Sequence, residues 1–217
     1  MSISENIRLL KKNLPSNVVL VAVSKTKPIS DILEAYHEGQ RVFGENKIQE
    51  MVEKWEQLPK DIEWHMIGHV QTNKVKYMAP FVSLIHAVDS LKLLKEIDKQ
   101  AEKQNRKIHC LLQLKIAEEE SKFGLNEKDA IDLLASEELK KLTHIKITGL
   151  MGMATFTENE MQLRYEFSRL KSFFDTYKDT FDLSILSMGM SGDYPIAITE
   201  GSTMIRVGSA IFGERNY

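Results

Sequence analysis

Two lysines near the end of an apolar run are the residues of this 217-residue chain that most directly suggest chemistry. In VAVSKTKP (21–28), the residues up to Val23 predict a buried strand, which leads into Lys25 and Lys27. An uncharged amine in a desolvated site attacks carbonyl groups, whereas a lysine where a strand ends is often only solvated charge. At about 3.3 Å per residue, Lys27 lies roughly 6.6 Å beyond Lys25, and Pro28 holds it extended. We therefore expect Lys25 to be the candidate reactive amine and Lys27 to be left to solvent.

Glycine-rich segments near the C-terminus suggest a site for an anion. GMSGD (189–193) and GSAIFG (208–213) each lie at the end of an apolar run. Backbone N–H groups freed by glycine, together with the N-terminus of a short helix, form a cradle for phosphate. The same glycines also suit ordinary turns, so this pattern leaves both interpretations open.

Arg206 is a cation within an apolar run, TMIRVGS (203–209). A buried guanidinium that finds no acceptor is strongly destabilising. Alternation along a strand places Arg206 and Gly208 on the same face. An arginine beside a glycine gap suggests a ligand atom held by the guanidinium. The alternative is an arginine that reaches solvent or a structural carboxylate.

The elements that would position these residues are short apolar runs alternating with segments of helical period. The predicted strands are 18–24, 41–43, 63–67, 82–88, 108–116, 145–151, 183–188 and 203–207. Most are continuously apolar, which is typical of parallel strands covered on both faces. Predicted helix N-caps are Ser90, Asn126 and Thr157, the last forming a capping box with Glu160.

This alternation predicts an α/β fold, a single (β/α)8 TIM-type barrel over residues 1–217 with an additional N-terminal helix. A doubly wound open sheet is the competing architecture. Only about ten residues follow the last predicted strand, too few for a full outer helix. An amphipathic segment with Ile3, Ile7 and Leu10 precedes the first strand and would take the vacant place, which favours the barrel. In a barrel the loops that follow the strands meet on one face, so these residues would share one site.

Composition points to a small partner. With 29 Lys+Arg against 31 Asp+Glu, no strong basic field suggests nucleic acid. The single Cys110 is expected to be a buried, inert thiol, and we expect a cytoplasmic protein without a signal peptide or membrane span. His65 and His69 straddle a predicted strand end, so they lack the spacing of metal ligands on one helix, and no metal is expected.

Several segments together resemble the pyridoxal-phosphate homeostasis proteins, in order and spacing, from about residue 18 onward. They are VAVSKTKP, FGENKIQE, WHMIGHVQTNK, EEESKFGL, GLMGMAT, LSMGMSGD and GSTMIRVGSAIFGERNY. The resemblance implies a barrel similar to the N-terminal domain of alanine racemase, holding pyridoxal 5′-phosphate as a Schiff base. By position it implies a role for six residues: Lys25 in the Schiff base, Arg206 opposite the pyridine nitrogen, Asn46 beside the ring, and Ser191, Gly208 and Ser209 around the phosphate.

Three positions complicate this assignment. Lys47 stands where the family often has an aromatic residue. Pro195 predicts that a short helix starts there, which leaves Ser191 in the preceding loop. Asn46, with Gln49 three residues on, also fits a helix-capping pattern that needs no ligand.

The resemblance implies a protein that buffers or delivers its cofactor, with transient apo-enzyme recipients, and we expect a monomer. An arginine does not accept a proton, so Arg206 would leave the pyridine nitrogen unprotonated and the ring a weaker electron sink. Alanine racemase takes its second acid–base group, a tyrosine, from a C-terminal domain, whereas this sequence stops at Tyr217. We expect a cofactor carrier and no established turnover. A weak pyridoxal-phosphate-dependent racemase and a Schiff-base aldolase-like barrel enzyme, the latter without bound cofactor, are the alternatives.

Overall fold

Eight parallel strands close into a barrel in the computed structural model, which describes residues 2–118 and 123–214. The strands are β1 (Val19–Val23), β2 (Val42–Glu45), β3 (Glu63–Met66), β4 (Leu84–Val88), β5 (Ile108–Leu114), β6 (Ile145–Gly152), β7 (Ile185–Met190) and β8 (Met204–Val207). Each strand pairs with the next, and β8 pairs with β1. The predicted barrel is confirmed and the open sheet is excluded. The described residues do not include 119–122, which belong to the segment EEESKFGL, or Tyr217, the last residue of the sequence.

Helices surround the barrel. They are α1 (Ile3–Asn13), α2 (Ile29–His37), α3 (Ile48–Gln57), α4 (Val75–Met78), α5 (Leu91–Lys103), α6 (Glu127–Leu134), α7 (Glu137–Lys140), α8 (Glu160–Phe181), α9 (Tyr194–Thr199) and α10 (Ser209–Phe212). The predicted caps Ser90 and Asn126 are confirmed, because their side chains accept backbone N–H bonds of α5 and α6. The capping box at Thr157 is wrong. Asn159 caps α8 instead, accepting from the N–H groups of Met161 and Gln162.

The N-terminal helix occupies the outer ring between α2 and α10, as predicted. Asn6 Nδ2 donates a hydrogen bond to Ile211 O on α10 at 2.9 Å. Ser4 N donates to Glu34 Oε1 on α2, also at 2.9 Å. Ile7 is fully buried on the face between them. A helix from the start of the chain thus supplies the packing surface that a short final helix lacks.

Two hydrophobic clusters form the core. The larger lies between strands and helices and includes Cys110. Burial raises the pKa of the Cys110 thiol, which keeps it protonated and unreactive, as expected. The smaller cluster consists of Val21, Leu84, Ala87, Leu111, Met151 and Met204 from five strands. Among the helices of the described residues, none combines the length and apolar character that a membrane crossing needs.

Gly149 allows β6 and β7 to approach each other closely. A Cβ atom at this position would lie 1.9 Å from the backbone oxygen of Ile185, a contact that side-chain movement cannot relieve. We expect Gly149→Ala to lower the free energy of unfolding by at least about 2 kcal/mol, measured by urea denaturation. Gly192→Ala is the matched control, because its Cβ meets nothing within 4 Å. Equal stability of the two variants would contradict the packing described.

Candidate functional site

A cavity of about 910 Å³ opens where the barrel strands end. It is near the upper limit of typical ligand pockets, which span roughly 300–1,000 Å³. All six residues singled out from the sequence line it: Lys25, Asn46, Ser191, Arg206, Gly208 and Ser209. The structure therefore brings together residues that lie up to 184 positions apart in the chain, from Lys25 to Ser209.

Lys25 follows β1 by two residues and is half-buried against the cavity. Its parity matches Val23, which lines the same cavity. The chain turns immediately afterwards, because Lys27 N donates to Ser24 O at 3.0 Å. The first inward-pointing side chain after the end of β1 is therefore that of Lys25.

Lys27 also lies at the rim, but the prediction that it is left to solvent is wrong. Its Nζ donates to Phe212 O at 2.8 Å and lies 3.4 Å from Gly213 O, at the C-terminal end of α10. A cation is stabilised beside the unpaired carbonyl groups that end a helix. The Lys27 amine thus ties the first strand-end loop to the last helix.

Loops after β7 and β8 form a surface rich in hydrogen-bond donors. Ser191 Oγ accepts from the backbone N–H of Gly208 at 3.1 Å. α10 begins at Ser209 and α9 begins at Tyr194, so two helix N-termini face this region. Gly192 lines the cavity, and a Cβ there would project into open space. Hydroxyls, backbone N–H groups and a glycine that leaves the space open fit a phosphate group.

The short helix after β7 starts one residue earlier than predicted. Pro195 occupies the second helical position and not the first, because α9 begins at Tyr194 with Asp193 as its N-cap. Ser191 still lies in the preceding loop, as expected. Lys47 is exposed and is not among the described lining residues, so its side chain does not shape the cavity.

Arg206 is buried at the bottom of the cavity. Its Nη1 donates to Ser187 Oγ at 2.7 Å and its Nη2 to Gly152 O at 3.0 Å. Burial lowers the pKa of the guanidinium to about 10, while the charge of Asp193 acts in the opposite direction. The guanidinium remains a cation at neutral pH, and it faces the cavity.

A chain of hydrogen bonds continues from Arg206 across the barrel interior. Ser187 Oγ lies 3.1 Å from His86 Nδ1, and His86 Nε2 lies 3.0 Å from His65 Nδ1. Since Ser187 accepts from Arg206, its own hydroxyl proton is free for His86 Nδ1. Burial lowers the pKa of His65 to about 3, and burial and neighbouring positive charge lower the pKa of His86 well below 6.5. Both rings are therefore neutral parts of a hydrogen-bonded chain that ends on Arg206.

This chain predicts a specific pH dependence of stability. The unfolded protein protonates both histidines near pH 6.5 while the folded protein does not, so the stabilisation is complete above that pH and is lost as the pH falls. Below pH 6 we expect the free energy of unfolding of the wild type to fall, relative to that of His65→Gln/His86→Gln, by about 1.4 kcal/mol per pH unit for each of the two histidines. Urea unfolding at about pH 5 and pH 7 measures the difference. Parallel pH dependences would contradict neutral burial.

Asn46 lines the cavity but does not cap α3. The N-cap is Lys47, without a side-chain hydrogen bond, so the capping interpretation of Asn46 is wrong. Gly68, which follows β3, packs against the Asn46 backbone, and a Cβ there would lie 2.4 Å from Asn46 O. The close packing fixes the Asn46 backbone at the rim of the cavity.

The loop after β6 supplies lining residues that were not singled out from the sequence. Thr155 and Phe156 line the cavity, and Phe156 is 94% exposed at its rim. Glu166, fully buried on α8, accepts from Thr155 N at 2.6 Å and from Thr155 Oγ1 at 2.7 Å. A buried carboxylate thus fixes this side of the cavity. Helical periodicity could have pointed to it, because Glu166 lies three residues after Leu163 and four before Leu170, on the apolar face of α8.

Known proteins match this chain over nearly its whole length. The sequence matches the family described as "Alanine racemase, N-terminal domain" over residues 1–216. It is 36% identical to the pyridoxal phosphate homeostasis protein of Haemophilus influenzae, covering 100% of this chain and 98% of that protein. It is 41% identical to the protein of the same name from Synechocystis, covering 93% and 94%.

Solved structures give the same result. PipY of Synechococcus elongatus with bound PLP superposes with a TM-score of 0.89 at 35% identity, covering 98% of this chain and 100% of that one. Alanine racemase of Streptomyces lavendulae reaches a TM-score of 0.82 at 14% identity, with 99% of this chain and 57% of that one covered. The latter similarity shows the fold alone.

Proposed function

The chain belongs to the pyridoxal phosphate homeostasis protein family, and from that premise we propose that it binds pyridoxal 5′-phosphate in the barrel-mouth cavity and acts in cytoplasmic cofactor homeostasis. The observation that carries the proposal is the convergence on one cavity of an amine, an anion-binding loop pair and a buried guanidinium. This is the donor set that a phosphorylated pyridine aldehyde requires. A structure of PipY, which is 35% identical to this chain, has PLP bound.

The phosphate arm would bind between the loops after β7 and β8. Ser191 and Ser209 offer hydroxyls, and the N–H groups of Gly208 and Ala210 donate to Ser191 Oγ, which holds that hydroxyl beside the start of α10. Gly192 leaves open the space that a side chain would fill. These groups fix one end of the cofactor, which sets the distance of its ring from Lys25.

Arg206 would face the pyridine nitrogen and Asn46 the edge of the ring. A guanidinium donates hydrogen bonds but does not accept a proton in this pH range, so it favours the unprotonated nitrogen. Pyridoxal phosphate supplies an aldehyde that captures amines and a ring that withdraws electrons. Arg206 limits that withdrawal, which suits storage of the cofactor better than carbanion chemistry.

Lys25 would hold the cofactor as a Schiff base. Its neutral amine adds to the aldehyde carbon and water is lost, so the bond is reversible and the cofactor is released by hydrolysis or by another amine. Among the described lining residues there is no Tyr of the kind that alanine racemase uses as its second acid–base group, and the titratable side chains there besides Lys25 and Arg206 are Lys27, Glu158, Glu160 and Asp193. The reversible bond suits a carrier that buffers the cofactor and delivers it to apo-enzymes.

Delivery is tested by transfer in the presence of a trap. The loaded protein is mixed with an apo-enzyme that requires pyridoxal phosphate, together with a phosphatase that destroys free cofactor. In the presence of the phosphatase, we expect the loaded protein to reactivate the apo-enzyme and free cofactor to fail to do so. Equal sensitivity of both sources to the phosphatase would remove the delivery role. Exchange of an amino-acid α-proton with solvent, lost in Lys25→Ala, would instead favour the racemase alternative.

A further inference from the structure

A buried charged cluster packs against the strand end that carries Lys25. Glu45, the last residue of β2, is fully buried, and its Oε1 accepts from Ser24 Oγ at 2.6 Å and from Lys54 Nζ at 2.7 Å. Lys54, on α3, also donates to Glu50 Oε1 at 2.7 Å, and its side chain is only 7% exposed. Burying charges costs desolvation free energy, so such a cluster is weak evidence for a purely stabilising role.

The cluster bonds to the backbone on both sides of Lys25. Lys54 Nζ donates to Ser24 O at 2.7 Å, on the residue before. Glu50 Oε1 accepts from Thr26 N at 2.5 Å, on the residue after. The peptide groups flanking the candidate amine are therefore held by charged side chains of α3.

Thr26 shows why this restraint matters. Its φ is +65°, in the left-handed region that β-branched residues seldom adopt. Such conformations persist only where surrounding contacts enforce them, and they concentrate at functional sites. The hydrogen bond from Lys27 N to Ser24 O closes the turn around Thr26. The strained residue thus lies directly next to Lys25, where it sets the direction of the chain.

We propose that Lys54 and Glu50 are positioning residues for Lys25, which hold the Ser24–Lys27 turn in the form that directs the Lys25 amine into the cavity. The inference deepens the proposed function and rests on it. Within the described part of the chain, the cavity lining includes neither Lys54 nor Glu50. They act through the backbone next to Lys25 and not by contact with the cofactor.

Positioning affects covalent capture and ring binding differently. Capture requires the Lys25 nitrogen at the aldehyde carbon, where the amine adds and water leaves. Small displacements of reacting atoms slow such steps by about 10- to 100-fold. Binding of the phosphate arm uses the loops after β7 and β8, whereas the hydrogen bonds described for Glu45, Glu50 and Lys54 end on Ser24, Thr26 and one another. Loss of the cluster should therefore slow capture and leave affinity for an aldehyde-free analogue unchanged.

The test compares variants of the full chain in these two measurements. Glu45→Gln/Lys54→Met removes both buried charges together, and Glu50→Ala removes the acceptor of Thr26 N. Arg106→Met is the matched control, because Arg106 holds the carbonyls of Ala79 and Val82 before β4, away from the cavity. Capture is the rate of the borohydride-reducible adduct with pyridoxal 5′-phosphate. Ring binding is the calorimetric Kd of pyridoxine 5′-phosphate.

We expect capture at least about tenfold slower in both cluster variants, with the Kd of pyridoxine 5′-phosphate within about twofold of wild type. Arg106→Met should change neither. Unchanged capture, or capture and affinity falling together, would overturn the positioning role. If the double variant does not fold, Glu50→Ala decides.

Failure of the proposed function is recognised separately. A wild-type protein that takes up no pyridoxal 5′-phosphate disproves that function itself. In that case the acetylation rate of Lys25 by acetic anhydride in the ligand-free protein, read by mass spectrometry, still tests positioning. We expect this rate to differ between wild type and Glu50→Ala but not between wild type and Arg106→Met, and equal rates in all three would overturn the inference.

Discussion

Replacing Lys25 with alanine is expected to abolish covalent capture of pyridoxal 5′-phosphate. Lys25 and Lys27 both line the cavity, but the Lys27 amine is bonded to Phe212 O at 2.8 Å, at the end of α10, and would have to break that contact to replace Lys25. The phosphate loops remain in Lys25→Ala, so the cofactor should still bind without a covalent bond, at least about 100-fold more weakly. Intact-protein mass after borohydride reduction measures the loss directly.

The control is the other lysine of the same turn. Lys27→Met removes the amine that holds the end of α10 but leaves Lys25 in place. We expect this variant to gain the reduced cofactor mass at the wild-type stoichiometry. A reducible adduct that survives in Lys25→Ala and disappears in Lys27→Met would reverse the assignment.

Replacing Arg206 with methionine is expected to weaken cofactor binding by about 10- to 100-fold. A hydrogen bond from a charged donor contributes about 1.5–3 kcal/mol, and a tenfold change in Kd corresponds to 1.4 kcal/mol. Arg206 is buried beneath the cavity, so its loss removes the proposed partner of the pyridine nitrogen. The Kd of pyridoxine 5′-phosphate, measured by calorimetry, isolates this effect from covalent capture.

The free energy of unfolding of Arg206→Met should change much less than its affinity for the cofactor. The hydrogen bonds from Arg206 to Ser187 Oγ and Gly152 O both end on uncharged oxygens, and burial disfavours its charge. Removing a buried charge recovers its desolvation free energy, which offsets the loss of the donor at the two buried acceptors Ser187 Oγ and Gly152 O. We expect the free energy of unfolding of Arg206→Met to stay within about 1 kcal/mol of wild type. Unchanged affinity with a large loss of stability would show that Arg206 is structural.

Sequence patterns predicted the barrel because the signals for its strands and helices lie within short stretches of the chain. Each strand is a short apolar run, and all eight predicted strands are present with ends within two residues of those observed. α1 also lies beside α10 as predicted, and the local signal for this helix is the amphipathic spacing of Ile3, Ile7 and Leu10. The convergence of Lys25 and Arg206 then followed from the fold alone, because loops after parallel strands meet on one face.

Contacts between distant residues were not predictable in this way. The partners of Arg206 come from β6 and β7, and no sequence spacing links Ser187 to His86 on β4. Lys27 was misjudged because its acceptor, Phe212 O, lies 185 residues away. Asn46 has the right residue type for a cap, yet α3 starts after Lys47 and leaves its side chain at the cavity. In each case the local sequence allows more than one role for the side chain, and contacts with distant residues determine which role it has.

Borohydride labelling of the wild-type protein decides whether Lys25 holds pyridoxal 5′-phosphate at the mouth of this barrel. The purified protein is incubated with the cofactor, its visible absorption is recorded, and the adduct is reduced with borohydride and located by peptide mapping. We predict visible absorption from the bound cofactor and a single labelled position, Lys25. A colourless protein that takes up no cofactor, or a label on Lys27, would contradict the account.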